Sequence, residues 1–293
     1  MLPDNVNSHL KLHFVVFIWG FTAILGALIS LDAMSLVWLR MLFAVLFVYL
    51  YIFIKKIPTK IPIKAIMGLL VAGFIIALHW FTFFKAIKVA NISVTLACLS
   101  SGAFFVSILE PIFLNKKIVW YEMLFGSIVI GALYLIFQFE GNYTYGILIA
   151  LLSAFFSALF SIINSKYAQT YNPTIITFYE LLGGISLFSI FLLFSDDLVT
   201  LFSEFSWLDL FYLLLLSSVC TAYAFIASVS VMKHLSAFTV MLTTNLEPVY
   251  GIVLAILIFK EKEKMSINFY LGAILILVTV LINAFIKSKN VQK

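Results

Sequence analysis

Ten apolar runs, each roughly twenty residues long, succeed one another along the chain, at about 10–31, 33–54, 63–85, 92–115, 118–138, 145–168, 174–194, 207–232, 236–259 and 267–286. Polar and charged residues gather in the short gaps between them. A helix needs about 20 apolar residues to cross a hydrocarbon layer of about 30 Å. Inside lipid every backbone N–H and C=O needs an internal partner, so only helices and closed barrels span. Barrel strands are shorter and alternate apolar with polar residues, a pattern these runs lack. The pattern predicts an all-α integral membrane protein with ten transmembrane helices and no soluble domain between them. At the seventh run, Asn172-Pro173 reads as a helix N-cap followed by proline at the first helical position.

Composition agrees. Of 293 residues, 64% are hydrophobic and only 11% charged, with a mean hydropathy of +1.15. Average soluble domains are about 25% charged, so a water-soluble fold of this size is excluded. The net charge of +5 forms no basic patch and gives no nucleic-acid footprint. The lysines instead report orientation. With the N-terminus inside, Lys11, Lys55, Lys56, Lys60, Lys64, Lys116, Lys117, Lys166, Lys233, Lys287, Lys289 and Lys293 fall on the cytoplasmic side. Lys85, Lys88, Lys260, Lys262 and Lys264 fall outside. The bias predicts both termini in the cytoplasm of a cell (inner) membrane protein, with 260-KEKEK-264 as the exception. Cys98 and Cys220 lie within spans and read as inert thiols, with neither a disulfide nor a metal site. The N-terminus lacks the basic segment and cleavage site of a removable signal, so the first span is expected to stay.

Two halves are related. The segment 88-KVANISVTLACLSSGAFFVSILEPIF-113 lies on 233-KHLSAFTVMLTTNLEPVYGIVLAILIF-259 at a shift of 145–146. Ser100-Ser101 then meets Asn245-Leu246, Gly102-Ala103 meets Glu247-Pro248, and Gly126 meets Gly272. Five spans per half is an odd number, so the second half enters from the opposite face. The expected units are 10–138 and 145–286, two inverted five-helix repeats of the kind secondary transporters use for alternating access.

The WG of 17-FIWGFTAI-24, the arginine of 36-LVWLRML-42 and the run 246-LEPVYGIVLAILIFKEK-262 carry a resemblance over nearly the whole chain. The sequence resembles the EamA family of the drug/metabolite transporter superfamily. The resemblance implies a ten-helix fold with a cavity between the halves, moving small organic solutes, often outward. In the ninth span a proline helix is followed by a loop bearing Glu261 and then Gly272. The fourth span departs from the family pattern, with Gly102-Ala103 where members often carry proline and Glu110-Pro111 further along.

Polar residues within the spans are few, and each costs free energy in hydrocarbon. Glu247 lies midway along the ninth span, followed by Pro248, expected to loosen the preceding turn, and preceded by Asn245. This reads either as the lining of a wet cavity or as a helix bend satisfied by its neighbours. Arg40, the sole arginine, falls in the outer third of the second span, and His79 and Trp80 in the outer third of the third. Arginine suits a substrate carboxylate because its guanidinium donates two parallel hydrogen bonds; the alternative is snorkelling to the surface. At a shift of about 139, Arg40 maps to Tyr179, beside Glu180, and His79 maps to Ala224, beside Tyr223. Arg40 and His79 are therefore expected to line the outer half of a pathway, with Glu180, Tyr179 and Tyr223 lining the inner half. Trp19 and Gly20 suit gating or close packing. Glu110, near 115-NKK-117, is assigned to the cytoplasmic interface.

There is no phosphate-binding loop, HExxH or nucleophile motif, so neither an enzyme nor an ATP-driven pump is expected. No cofactor or metal, and no obligatory protein partner, is implied. The expected function is secondary transport of a small polar metabolite, an amino acid or relative, with efflux the favoured direction. An exporter of lipophilic cations or aromatic drugs is the alternative, and an intramembrane lipid-modifying enzyme the remoter one.

Overall fold

The computed structural model describes residues 4–115, 117, 119–139, 143–194 and 205–291. Each apolar run is helical, and among the described residues there is no strand. The helices are α1 (Asp4–Leu28), α2 (Ala33–Lys55), α3 (Ile63–Val89), α4 (Ile92–Leu99), α5 (Gly102–Leu114), α6 (Trp120–Phe139), α7 (Thr144–Tyr167) and α8 (Pro173–Leu193). After them come α9 (Trp207–Ser217), a π-helical turn at Ser218–Tyr223, α10 (Ala224–Val231), α11 (Ala237–Thr244), α12 (Glu247–Phe259), a 3₁₀ turn at Lys260–Glu263, and α13 (Ile267–Val291). Eight stretches are long and apolar enough to cross a membrane, some built from consecutive elements such as α4 with α5. α6 and α13 hold shorter apolar stretches, Met123–Ile136 and Ile267–Thr279. Asn172 caps α8, its side chain accepting from Thr174 N at 2.9 Å, with Pro173 next.

Three stretches are interrupted, and two of the interruptions match. α4 and α11 are each 8 residues long; α5 and α12 are each 13. At the first break, Ser100 N–H donates to Ala97 O and Cys98 O; at the second, Asn245 N–H donates to Leu242 O and Thr243 O. Ser101 N then reaches Cys98 O, and Leu246 N reaches Thr243 O, both at 3.0 Å. Their starts correspond too: Asn91 Oδ1 accepts from Val94 N at 2.8 Å, and Ser236 Oγ from Thr239 N at 3.2 Å. Every one of these pairs lies 145 residues apart. The fourth span thus breaks without the proline that the ninth carries. In the ninth, tight turns at Asn245 and Leu246 already end α11. Pro248 instead sits in the first turn of α12, where no N–H is required of it.

Helices of one half pack against helices of the other: α3 against α7 and α8, α2 against α8, and α1 against α12. Glycines permit these approaches. A Cβ on Gly73 would collide with the Glu180 carbonyl oxygen, and one on Gly183 with that of Leu70, locking α3 to α8 backbone against backbone. Gly20 is likewise a packing residue, since its Cβ would lie 2.8 Å from Tyr250 Cβ on α12.

A carbonyl oxygen cannot swing aside as a side chain does, so enlarging Gly73 is expected to be costly. Gly73→Val is expected to destabilise the fold by about 1–3 kcal/mol or more, read as a lower thermal midpoint in detergent. Gly131→Ala, where a Cβ meets nothing within 4 Å, is expected to leave that midpoint unchanged.

Candidate functional site

The two matched breaks face one cavity, lined by residues of both halves of the chain. The break in α4–α5 contributes Leu99 and Ser100; that in α11–α12 contributes Asn245, Glu247 and Pro248. A break exposes backbone polar groups, and in lipid that is tolerated where the segment lines a cavity or is covered by protein. The walls are aromatic and small-polar: Trp19 and Thr22 on α1, Trp80 and Phe83 on α3, Phe160 and Ser161 on α7, Phe225 and Ser228 on α10.

Arg40 reaches this cavity from α2 and is 1% exposed. It does not snorkel. Its Nε donates to Thr221 Oγ1 at 2.7 Å, and its guanidinium lies 4.0 Å from the centre of the Trp80 ring and 5.5 Å from that of Phe84. Stacking of this kind contributes about 0.5–2 kcal/mol and fixes the plane of the fork. Nη1, however, is buried with no hydrogen-bond partner. An unpaired buried donor on a charged group is costly, and here it belongs to a side chain that lines the cavity.

The π-helical turn explains how Arg40 is held. Thr221 Oγ1 donates to Leu216 O at 2.7 Å, five residues back, within this widened turn. The hydroxyl therefore presents its lone pairs to Arg40. π-Bulges recur at functional sites because they re-aim a side chain without ending the helix.

Glu247 opens α12, in its first turn, where the helix dipole favours a negative charge. It is 6% exposed and lines the same cavity as Arg40, near enough for the two charges to interact. Asn245 Nδ2 is also buried without a partner. His79 lines the cavity with Nδ1 engaged by Ser153, 3.0 Å from its carbonyl oxygen and 2.9 Å from its Oγ. Ser153 Oγ also lies 3.0 Å from the His79 carbonyl oxygen, which fixes the ring against α7.

Arg40, His79, Trp80, Asn245, Glu247, Pro248 and Trp19 thus converge on one cavity, although their helices are far apart in sequence. Glu180, Tyr179 and Tyr223 lie outside its lining. Glu180 is 0% exposed, where Asn164 Nδ2 donates to its Oε2 at 3.4 Å. The Tyr179 hydroxyl donates to Thr59 O at 3.1 Å, and Tyr223 is 48% exposed, edge-on to Phe14. The arginine and histidine therefore have no counterparts in this cavity at the positions symmetry assigns. Sequence reasoning misses Thr221 and Ser153, and pairs Ser100 with Asn245 without placing it at a site; the polar SSVCTAY run is the signal in the sequence that points to Thr221. Among the described residues no cluster of three or more metal-ligating side chains occurs.

Comparison with known proteins adds three findings. The fold is shared with a solved crystal structure at a TM-score of 0.69, covering 97% of this chain and 98% of the other at 13% identity. No curated protein sequence matches. The profile of the EamA-like transporter family matches residues 9–138 and again 144–285, almost the entire described length. With its helical spans, two matched helix breaks and a cavity between the halves, the chain belongs to the EamA-like transporter family.

Proposed function

We propose that this protein is a secondary carrier for a small zwitterionic metabolite, an amino acid or a close relative, working by alternating access. The observation that carries this reading is the pairing of Arg40, with its unpartnered Nη1, and Glu247 in one aromatic-walled cavity. A substrate carboxylate satisfies the Arg40 fork, assisted by His79 or Asn245 Nδ2. The substrate ammonium meets Glu247. Each buried charge then gains an opposite partner, which offsets the cost of burying it. Arg40 in the same cavity disfavours a lipophilic cation as cargo, since the two cations would repel. In this reading α6 and α13 also span, giving ten transmembrane helices as two inverted repeats. The lysine distribution supports cytoplasmic termini in a cell membrane, and export is the favoured direction.

Counterflow in proteoliposomes tests the reading. Vesicles preloaded with mixed unlabelled amino acids are offered one labelled amino acid at a time. Transient accumulation of at least one label is expected, and Glu247→Gln is expected to abolish it. Accumulation of none would reject the substrate class, and accumulation unchanged in the variant would remove Glu247 from the pathway.

Arg40→Lys separates grip from charge. Lysine keeps the positive charge but loses the planar fork and its stack on Trp80. A charge-assisted hydrogen bond contributes about 1.5–3 kcal/mol, so KM is expected to rise by roughly ten-fold or more in initial-rate measurements. An unchanged KM would show that the guanidinium does not hold the substrate.

A further inference from the structure

The loop 260–264, the exception among the lysines, contains a buried acid. Glu261 and Lys264 pair at 3.5 Å with side chains 84% and 69% exposed, a surface contact worth little. Glu263 is different: it is 5% exposed. Its Oε1 accepts from Ile92 N at 3.0 Å, and its Oε2 accepts from Ser93 N at 2.9 Å and Ser93 Oγ at 2.8 Å. These N–H groups open α4, where a helix has no internal acceptors and its dipole is positive. A carboxylate from the second half of the chain therefore caps a half-helix of the first.

The position of that cap gives it leverage. α4 runs from this face down to the cavity, and α12 runs from the cavity back up to the same face. The two half-helices pack together; a Cβ on Gly251 of α12 would collide with Leu96 of α4. In the alternating-access reading, opening the cavity towards this face parts α4 from α12. Glu263, on the turn that ends α12, ties them at the rim. The face is tied again where Asp209, at the start of α9, accepts from Ser30 N at 2.7 Å and Ser30 Oγ at 2.8 Å, after the end of α1.

The matched repeat carries no carboxylate at the equivalent position. At the 146-residue shift that pairs Gly126 with Gly272, Glu263 corresponds to Lys117, which is exposed. At the 145-residue shift it corresponds to position 118, an isoleucine, and no carboxylate occurs anywhere from 111 to 121. The equivalent cap would bind the start of α11, which packs on α5 as α4 packs on α12. A lysine cannot accept hydrogen bonds from helix N–H groups.

We propose that Glu263 is a one-sided latch, holding the cavity shut at the face of loop 260–264 and biasing the carrier to open at the face bearing the N-terminus. The inference rests on the alternating-access reading. Glu263 is a positioning residue; it touches no cargo.

Cys220 lines the cavity and reports its access. Labelling by a membrane-impermeant methanethiosulfonate is timed in right-side-out and inverted vesicles. A cleavable N-terminal tag identifies the faces, and only labelling lost in Cys220→Ala is counted. The parent is expected to label faster from the N-terminal face. Glu263→Gln, whose amide keeps one acceptor, is expected to shift the ratio of rates towards the loop face by roughly ten-fold, the scale of one charge-assisted hydrogen bond. Ser93→Ala removes one donor to the same carboxylate and is expected to shift it the same way by less; it carries the test if Glu263→Gln does not fold. Faster parent labelling from the loop face, or an unchanged ratio in the folded variants, overturns the latch. Equal acceleration at both faces does so too, since it marks general loosening. Counterflow with an unchanged ratio rejects the latch and leaves the carrier; a shifted ratio without counterflow rejects the cargo reading and leaves the latch.

Discussion

A helix that stops in the middle of a bilayer leaves backbone donors and acceptors with no water to satisfy them. Here two spans stop there, at Ser100-Ser101 and at Asn245-Leu246, with the same tight hydrogen bonds 145 residues apart. The rest of the structure depends on that constraint. The breaks are sheltered by protein and by a cavity, and neighbouring helices from both halves wrap around them. Buried charge then becomes tolerable at the same depth, because a half-helix start welcomes Glu247 and stacked aromatics shield Arg40. Cavity, helix break and buried charge are one solution to one solvation problem.

Close packing between the halves makes this solution rigid where it must be. α3 and α8 meet through glycines at backbone distance. His79 is pinned to α7 through Ser153, and Arg40 to the π-helical turn through Thr221. These two side chains of the cavity are therefore each held from behind by a helix other than their own. In the proposed carrier, a charged group fixed in this way would meet its ligand with little reorganisation.

Much of this architecture is legible in the sequence. Length and hydropathy announce spanning helices, and the cost of polar residues in lipid draws attention to Arg40, His79 and Glu247, which the fold brings together. The break in the fourth span is not legible, because no proline marks it; matched hydrogen bonding at Ser100 and Ser101 makes it instead. Position along a span gives a residue's depth in the membrane, but not the direction it faces. Glu180 is a polar residue within a span, as expected, yet its side chain is buried against Asn164 of α7 and does not line the cavity. Tyr223 departs from expectation for a different reason. It ends the π-helical turn, and one extra residue in a turn rotates the rest of the helix by about 100°. The alternation in KEKEK likewise hides which glutamate is buried: Glu261 stands in the family-like run, but Glu263 is the one that caps α4.

The two halves share a backbone but not a chemistry. Where the second half places Glu247 at the start of α12, the first places Gly102 at the start of α5. Matched bends supply two half-helix starts near one cavity, but a carboxylate at only one of them. Glu247 favours a cationic group in the shared cavity, and Arg40, reaching it from α2, favours an anionic one. A symmetric pair of acids would repel each other and favour a dication; a symmetric pair of glycines would offer nothing for an ammonium. Divergence of a duplicated bend thus leaves the cavity with a carboxylate from one half only, and the zwitterion proposed as cargo is the reading that uses Glu247 and Arg40 together.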